Sequence, residues 1–330
     1  MPHVVIAPDK FRGSATAAEV AEAMARAAGA TGWTFDVAPV SDGGEGFCAA
    51  LGGRARPLQV RGPLGRPVDS AWFELDGGAA AAVEMAMASG LDLAGGPERN
   101  DPIGAETTGT GELIAAAVKA GARQVFVGMG GSATTDGGWG ALEVLEPHSR
   151  LSGIGLVVAC DVTTRFLDAA ATFSPQKGAT PAQVQLLSRR LERLAQVYRD
   201  RFGVDVQDIE GSGAAGGLAG GLAALGATLV SGFDLVADRI DLAERIQGSD
   251  LVITGEGLLD AESFHGKAVG GVAGLAREAG VPMIVLAGNA EGDQPVEYRT
   301  LVGEVGEERA WAEPLAAIEE VVGDVLRARL

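Results

Sequence analysis

The sequence predicts an α/β protein in which a flavodoxin-like parallel sheet domain carries a second α/β domain with a mixed sheet, inserted after its second strand. Two observations support this fold class. Strand, loop and helix alternate at both ends of the chain, which is the pattern of βαβ units. The middle instead alternates polar and apolar residues between Gly-Pro turns, as antiparallel strands do. The expected domains are residues 1–55 with 242–330, and the inserted residues 56–241.

The two ends of the chain supply the five strands of the first domain. Residues 4–7 and 34–40 read as strands around a helix over 15–28, with Ser14 or Thr16 as its N-cap and Gly29 as its stop. Towards the C-terminus, strands are expected at 250–254, 281–286 and 299–305, with helices over 267–278 and 314–329. Five parallel strands joined by right-handed crossovers give the order 2-1-3-4-5.

The inserted segment has a different pattern. Residues 57–75 read as antiparallel strands, whereas 80–88 fit either a strand or a helix. A helix over 110–120 ends at Gly121, strands follow at 125–129 and 156–160, and 181–202 is a long amphipathic helix with an exposed polar face.

Composition excludes several classes of function. Of the 330 residues, 26 are Lys or Arg and 44 are Asp or Glu, so the net charge is −18 and its field repels nucleic acids and anionic lipid. Cys48 and Cys160 are the two cysteines, and they suggest neither a disulfide framework nor a zinc site. No signal peptide or apolar span is evident, so a cytoplasmic protein is expected, as a monomer or homodimer. A local cationic pocket could still bind a small anion.

Ligands of such sheets bind beyond the carboxyl ends of the strands, where the strand order reverses. Here that point lies between the first strand and the strand over 250–254. It gathers residues 9–14 and 255–260, with 41–46 beside them. We therefore expect a binding site in these segments.

Lysines and carboxylates beside glycines point to phosphate chemistry. The chain has four lysines, and Lys10, Lys177 and Lys267 each lie within a few residues of a glycine, an arrangement common in phosphate sites. Gly-flanked acids recur at 42–46, 136–138 and 255–257, and such carboxylates suit Mg²⁺ bound with phosphate. Ordinary Asp-Gly turns would look the same.

Two hydroxyl- and glycine-rich stretches, residues 107–112 and 128–135, could bind an anion through free N–H groups, although N-capping explains the first equally well. Residues 211–216 fit G-x-G-x-x-G but do not follow a strand, which argues against a dinucleotide site.

Six blocks together resemble the bacterial two-domain (type I) glycerate kinases. They are APDKFRGS (7–14), VSDGGEG (40–46), TTGTGELI (107–114), GMGGSATTDGG (128–138), ACDV with SPQKGAT (159–162 and 174–180), and GSGAAGGL with LVITGEGLLDAESFHGKA (211–218 and 251–268). The resemblance implies ATP- and Mg²⁺-dependent phosphorylation of D-glycerate, typically to 2-phosphoglycerate, in a cleft between two α/β domains.

The resemblance also implies roles for the matched residues. Asp9 or Asp136 would orient the attacking hydroxyl, and Lys177 and Lys267 would neutralise phosphate charge. The remaining expected site residues fall into three groups: Arg12, Ser14, Glu45 and Glu256 for the substrate, Thr107, Gly109, Gly130 and Ser132 for the nucleotide phosphates, and Asp42, Asp161 and Asp260 for Mg²⁺, with Asp42 also counted as catalytic.

The chain departs from the family pattern at several positions. Lys10 stands where serine is usual, Leu258 where a basic residue is common, and only residues 146–155 bridge a normally longer segment. These departures leave open a divergent member that binds nucleotide or a small acid without turnover. A nicotinamide-dependent oxidoreductase is a second, separate alternative.

Overall fold

The computed structural model of the chain describes residues 1–264 and 267–330. They divide into two compact units: unit 1, Met1–Asp42 with Phe233–Leu330, and unit 2, Gly43–Gly232. The boundaries lie after residues 42 and 232, whereas the sequence predicts domain boundaries after residues 55 and 241. Hydrogen bonds within unit 2 hold both of its ends. The N–H of Gly130 bonds to the oxygen of Gly43 (3.3 Å), and the N–H of Gly232 to Asp161 Oδ1 (2.9 Å).

The helices and strands follow one another along the chain in three stretches. Unit 1 begins with β1 (His3–Ile6), α1 (Ala17–Ala30) and β2 (Thr34–Val37). Unit 2 contains α2 (Phe47–Ala50), β3 (Arg54–Arg61), β4 (Pro67–Leu75), β5 (Ala80–Glu84), α3 (Ala86–Ser89), α4 (Thr108–Ala120), β6 (Gln124–Gly128), α5 (Trp139–Val144), β7 (Gly155–Ala159), α6 (Ala169–Phe173), α7 (Pro181–Phe202), α8 (Leu218–Ala224) and β8 (Thr228–Val230). The chain continues with α9 (Gly232–Arg239), α10 (Leu242–Gln247), β9 (Leu251–Leu259), α11 (Ala268–Ala279), β10 (Met283–Ala290), β11 (Glu297–Thr300), α12 (Leu301–Val305), α13 (Glu307–Ala312) and α14 (Pro314–Arg327).

Unit 1 is built on a five-stranded parallel sheet with the order β11-β10-β9-β1-β2. Numbered within the sheet, this is 2-1-3-4-5, so the predicted flavodoxin-like order is confirmed. Residues 4–6 of β1 are buried because helices cover both faces of the sheet. Val4 and Ile6 pack in the apolar cluster with α1 and α14, whereas Val5 and Ala7 pack in the cluster with α10 and α11.

The ends of α1 show how local sequence sets helix limits. Of the two candidate caps it is Thr16 that begins the helix: its hydroxyl accepts the N–H of Glu19 (3.3 Å), and Glu19 accepts the N–H of Thr16 (2.9 Å), which together form a capping box. The helix passes the expected stop at Gly29 and ends at Ala30. The glycine with a left-handed φ is instead Gly32, at +81°.

Two expectations for the C-terminal stretch were wrong. The strand expected over 250–254 continues as β9 to Leu259, because β10 pairs with it along that length, Ala287 opposite Glu256 and Asn289 opposite Leu258. The strand expected over 299–305 ends at Thr300, whose hydroxyl accepts the N–H of Gly303 (3.1 Å) and caps α12.

Unit 2 contains a six-stranded mixed sheet, β3-β4-β5-β6-β7-β8, in which β3, β4 and β5 are antiparallel and the others parallel. The antiparallel prediction for 57–75 is confirmed, and the ambiguous stretch 80–88 becomes β5 followed by α3. Helix α7 begins and ends as predicted, from the cap Thr180 to Gly203 with φ +73°. One face of α7 enters the unit 2 core through Leu187 and Tyr198, both fully buried. In the described part of the chain, no helix combines the length and apolar character that crossing a membrane requires.

Candidate active site

Three acidic side chains of unit 1 come from the carboxyl ends of neighbouring strands. Asp9 follows β1, Asp42 follows β2, and Glu256 lies in the second half of β9. The N–H of Asp9 bonds to the oxygen of Gly255 at 2.8 Å, which fixes the chain after β1 against β9. Asp9 and Glu256 lie where the strand order reverses, between β1 and β9, which is the edge of the sheet at which the sequence predicts a binding site.

Lys10 pairs with two of these carboxylates. Its ammonium nitrogen Nζ lies 3.6 Å from Asp9 Oδ1 and 3.8 Å from Asp42 Oδ1, and its backbone N–H donates to Asp9 Oδ1 at 2.7 Å. Asp9 is 8% exposed. Burial raises the pKa of Asp9 to about 6, and the neighbouring Lys10 charge opposes that increase. A carboxylate whose pKa lies near neutrality is suited to accept a proton from a substrate hydroxyl.

Glu256 is a second carboxyl group with an elevated pKa. Burial raises the pKa of Glu256 to about 7, and a hydrogen bond from Ser263 opposes the shift. Its Oε1 atom is buried and has no hydrogen-bond partner among the described residues. An incoming ligand that offered a hydroxyl or an N–H group would satisfy this oxygen. Glu256 therefore fits the substrate-binding role expected for it.

Arg12 and Ser14 belong to a tight turn after β1. Buried Phe11 anchors the turn, since its N–H donates to the oxygen of Ala15 (2.9 Å) and its oxygen accepts the Ser14 hydroxyl (3.1 Å). Arg12 is exposed, which leaves its guanidinium accessible to an anion. A Cβ added at Gly257 would lie 3.0 Å from the Arg12 nitrogen, so the turn lies close against β9.

Lys267 and Asp260 lie beyond β9. Lys267 Nζ is 3.6 Å from Glu262 Oε2, with 40% of the lysine side chain exposed. Asp260 Oδ1 accepts the N–H of Ser263 (3.0 Å) and its hydroxyl (3.2 Å), so it caps a short turn. His265 and Gly266, which belong to the last matched block, lie outside the described residues.

In unit 2, Asp136 and Thr107 form a buried cluster of hydrogen bonds. The Asp136 carboxylate accepts four hydrogen bonds, from the N–H and hydroxyl of Thr107 (2.9 and 2.8 Å) and the N–H groups of Gly138 (3.1 Å) and Gly140 (3.2 Å). The Thr107 hydroxyl also accepts the N–H of Ala141 (3.1 Å). These contacts lock the start of α4 to the loop before α5. They favour a positioning role for both residues over the direct contacts with substrate and phosphate that were expected.

Lys177 is a buried cation beneath the loop over 128–135. It is 3% exposed, and its ammonium donates to Ser132 Oγ and to the Thr134 oxygen, both at 2.7 Å. Burial lowers the pKa of Lys177 to about 7, although the Asp136 charge opposes this. An anion bound nearby would stabilise the charged form of the Lys177 ammonium, which burial disfavours. The loop around half-buried Ser132 is therefore suited to bind phosphate.

The expected phosphate-binding glycines have close backbone neighbours. A Cβ at Gly109 would lie 2.0 Å from the Arg61 oxygen, and one at Gly130 would lie 2.4 Å from Gly44 Cα. Both positions therefore require glycine for packing alone, which the sequence could not distinguish from ligand approach. The expected substrate residue Glu45 is exposed, one position after Gly44.

The glycines at 211–216 also serve packing. A Cβ at Gly216 would lie 2.0 Å from the Thr134 oxygen, and one at Gly213 would lie 2.5 Å from the Arg165 oxygen. This explains the pattern without a dinucleotide.

Sequence reasoning missed Asn100, whose side-chain amide donates to the oxygens of Ala133 (3.0 Å) and Lys177 (2.9 Å) and so braces the Lys177 turn. It lies in a stretch of turn-forming residues that carries no signal for such a role.

The carboxylates expected to bind Mg²⁺ do not assemble a centre in the described residues, where no group of three His, Cys, Asp or Glu side chains is placed to hold a metal ion. Asp42 contacts the Lys10 ammonium, Asp260 caps its turn, and Asp161 accepts the N–H of Gly232. Asp161 also belongs to unit 2, whereas the other two belong to unit 1. Within the described part of unit 1, Asp42 and Asp260 do not belong to a preformed magnesium site.

Comparison with known proteins identifies the family. The sequence profile of the "Glycerate kinase family" matches residues 4–147 and 144–307. A glycerate kinase from Bacillus subtilis is 38% identical over 90% of this chain and 87% of its own length, and a glycerate 2-kinase from Escherichia coli has the same identity and coverage. An uncharacterised Mycobacterium bovis protein is 41% identical over 88% of this chain and 80% of its own.

A solved structure extends the match to the fold. The crystal structure of a candidate glycerate kinase 2 from Salmonella typhimurium LT2 superposes with a TM-score of 0.85 at 33% identity, covering 99% of this chain and 98% of that one. Sequence and fold thus agree over nearly the whole length of the chain, across both units. The enzyme class that follows is a kinase acting on glycerate. The chain belongs to the glycerate kinase family.

Proposed function

We propose that the chain transfers the γ-phosphoryl group of ATP to the C2 hydroxyl of D-glycerate and so forms 2-phosphoglycerate and ADP. Mg²⁺ enters this proposal as part of the nucleotide substrate. The observation that carries it is Asp9: a buried carboxylate at the strand-order reversal with a pKa raised to about 6, followed by the turn that carries the exposed Arg12. The name of the E. coli relative, glycerate 2-kinase, supports the choice of position.

Asp9 is the group proposed to act on the hydroxyl. Phosphoryl transfer depends chiefly on positioning and on charge stabilisation, with one residue orienting the nucleophile. Asp9 Oδ1 already accepts the backbone N–H of Lys10, which holds the carboxylate in one orientation. At neutral pH Asp9 is mostly ionised, so it accepts the hydroxyl proton as the new P–O bond forms.

Two further groups of unit 1 would select the acid. Arg12 offers a planar pair of donors to the glycerate carboxylate, the geometry that binds carboxylates best. The buried Glu256 Oε1 would accept a hydroxyl of glycerate, which satisfies an oxygen that otherwise lacks a partner. An acid lacking that hydroxyl would leave this oxygen unpaired and bind less well.

The phosphate groups are assigned to unit 2. Lys177 supplies a buried positive charge, and Ser132, whose oxygen accepts the Lys177 ammonium, keeps its own proton for a phosphate oxygen. Lys267 of unit 1 is the more exposed of the two expected phosphate lysines. Asp136 and Thr107 would act by holding α4 and the loop in place.

The test is ADP release from Mg-ATP in the presence of D-glycerate, L-glycerate or no acid. We expect turnover with D-glycerate alone. Asp9→Asn should lower kcat by roughly 10²- to 10⁴-fold, the range typical of a lost general base, with a small change in KM for ATP. The exposed Asp293→Asn in the same unit is the matched control and should retain full activity.

Other outcomes identify the alternatives. Nucleotide binding without product would indicate a divergent member of the family that has lost turnover. Retention of a nicotinamide dinucleotide would favour the oxidoreductase. Against that alternative, the glycines at 211–216, which match the dinucleotide-binding pattern, are explained by close packing.

A further inference from the structure

Lys10 provides a positive charge where unit 1 concentrates negative charge. Its ammonium contacts Asp9 and Asp42, carboxylates carried by different strand ends of the sheet. Glu256 also interacts electrostatically with Asp9. The side chains of Lys10 and Asp9 are 18% and 12% exposed, so water screens their interaction little, whereas Asp42 is 30% exposed.

We propose that Lys10 is the resident cation of this site: its ammonium positions the Asp9 and Asp42 carboxylates and keeps divalent cations from binding between them. The proposal deepens the proposed function, because it explains how Asp9 is held. Its first test, however, measures cation binding alone and needs no turnover.

The Lys10 ammonium and a divalent metal ion would compete for the same position between these carboxylates. Two carboxylates that share one cationic neighbour repel each other, and that cation holds them together. A divalent ion bound to one or two carboxylates and several waters is a common arrangement for Mg²⁺. Here an ammonium lies within 4 Å of an oxygen of each carboxylate, so a divalent ion entering the pair would meet a fixed positive charge. The chain therefore supplies in covalent form the charge that a metal would bring.

The experiment uses Mn²⁺ as the probe, with free ion measured by electron paramagnetic resonance in the full-length protein, stripped of metal and without nucleotide. Lys10→Met keeps the length of the side chain and removes its charge. We expect this variant to gain one Mn²⁺ site, bound roughly 10- to 100-fold more tightly than any site of the wild type, as loss of a unit charge about 4 Å away allows. Lys10→Met combined with Asp42→Asn should lose that site again.

Two controls separate position from net charge. Lys119→Met removes the same charge from an exposed position in α4 of unit 2 and should leave Mn²⁺ binding at the wild-type level. Lys10→Arg restores the charge and should also bind no additional Mn²⁺. Circular dichroism of each variant confirms that it is folded.

The proposal is overturned if folded Lys10→Met binds no additional Mn²⁺. It is equally overturned if the wild type binds one Mn²⁺ tightly and Asp42→Asn abolishes that binding, because the pair would then be a metal site with Lys10 in place. If Lys10→Met gains the site while the wild type shows no kinase activity, the proposed function fails and the role of Lys10 stands.

Discussion

Replacing Lys177 with methionine should change how stability depends on pH. Lys177 is 3% exposed, and burial lowers its pKa to about 7 from the usual value near 10.5. Between these two values the unfolded chain binds a proton that the folded protein does not. The contribution of Lys177 to the free energy of unfolding is therefore lowest below pH 7, and it rises with pH between about 7 and 10.5.

The magnitude follows from the size of the shift. One proton taken up on unfolding changes the free energy of unfolding by about 1.4 kcal/mol per pH unit. From pH 7.5 to pH 9, the wild type should therefore gain about 2 kcal/mol relative to Lys177→Met. The variant also leaves Ser132 Oγ and the Thr134 oxygen without the ammonium donor, which adds a penalty that does not depend on pH.

The assay is urea unfolding followed by circular dichroism at several pH values, on the wild type, Lys177→Met and Lys119→Met. Lys119 is exposed at the end of α4, so its replacement should give a difference from the wild type that stays constant with pH. If the difference between the wild type and Lys177→Met is also constant, or falls as pH rises, Lys177 does not titrate as a buried cation and the reasoning is refuted.

Two further predictions concern glycine packing and the hydrogen bonds of Asp136. Gly109→Ala should destabilise the protein by roughly 1–3 kcal/mol or more, since its Cβ would lie 2.0 Å from the Arg61 oxygen. The control Gly274→Ala, in helix α11 with nothing within 4 Å of the added Cβ, should stabilise the protein by roughly 0.5–1 kcal/mol. Equal melting temperatures for the two variants would contradict the packing argument. Asp136→Asn places an amide donor against N–H groups, so buried donors such as the N–H of Thr107 lose an acceptor. The free energy of unfolding, measured in urea, should fall by roughly 1–3 kcal/mol. A variant as stable as the wild type would show that these hydrogen bonds do not stabilise the protein.

The strand order of the unit 1 sheet could be predicted from the sequence, because it follows from the number of βα units. Five strands in βα units, joined by right-handed crossovers, leave few arrangements. The limits of β9 were not accessible: residues 255–260 are rich in glycine and acidic groups, and only pairing with β10 keeps them extended. Thr300 likewise ends β11 through a cap that alternation cannot reveal.

The candidate site likewise contains features that the sequence predicts and features that it does not. The position of Asp9, Asp42 and Glu256 at the strand ends followed from the fold class. What Thr107 and Asp136 do depends on their mutual hydrogen bonds, and they lie 29 residues apart in the chain. The burial of Lys177 is also a tertiary property, since its neighbours in sequence show only a lysine before a glycine. The three carboxylates expected to bind Mg²⁺ were grouped from the family resemblance, and the fold gives each of them a separate contact.

Identification of the product by phosphorus NMR tests the central claim most directly. The protein is incubated with Mg-ATP and D-glycerate, and the coupling of the new phosphate ester is recorded. We predict a doublet, because phosphate at C2 couples to one methine proton. A triplet, from the two methylene protons at C3, would contradict the proposed position, and no new ester at all would contradict the proposed reaction.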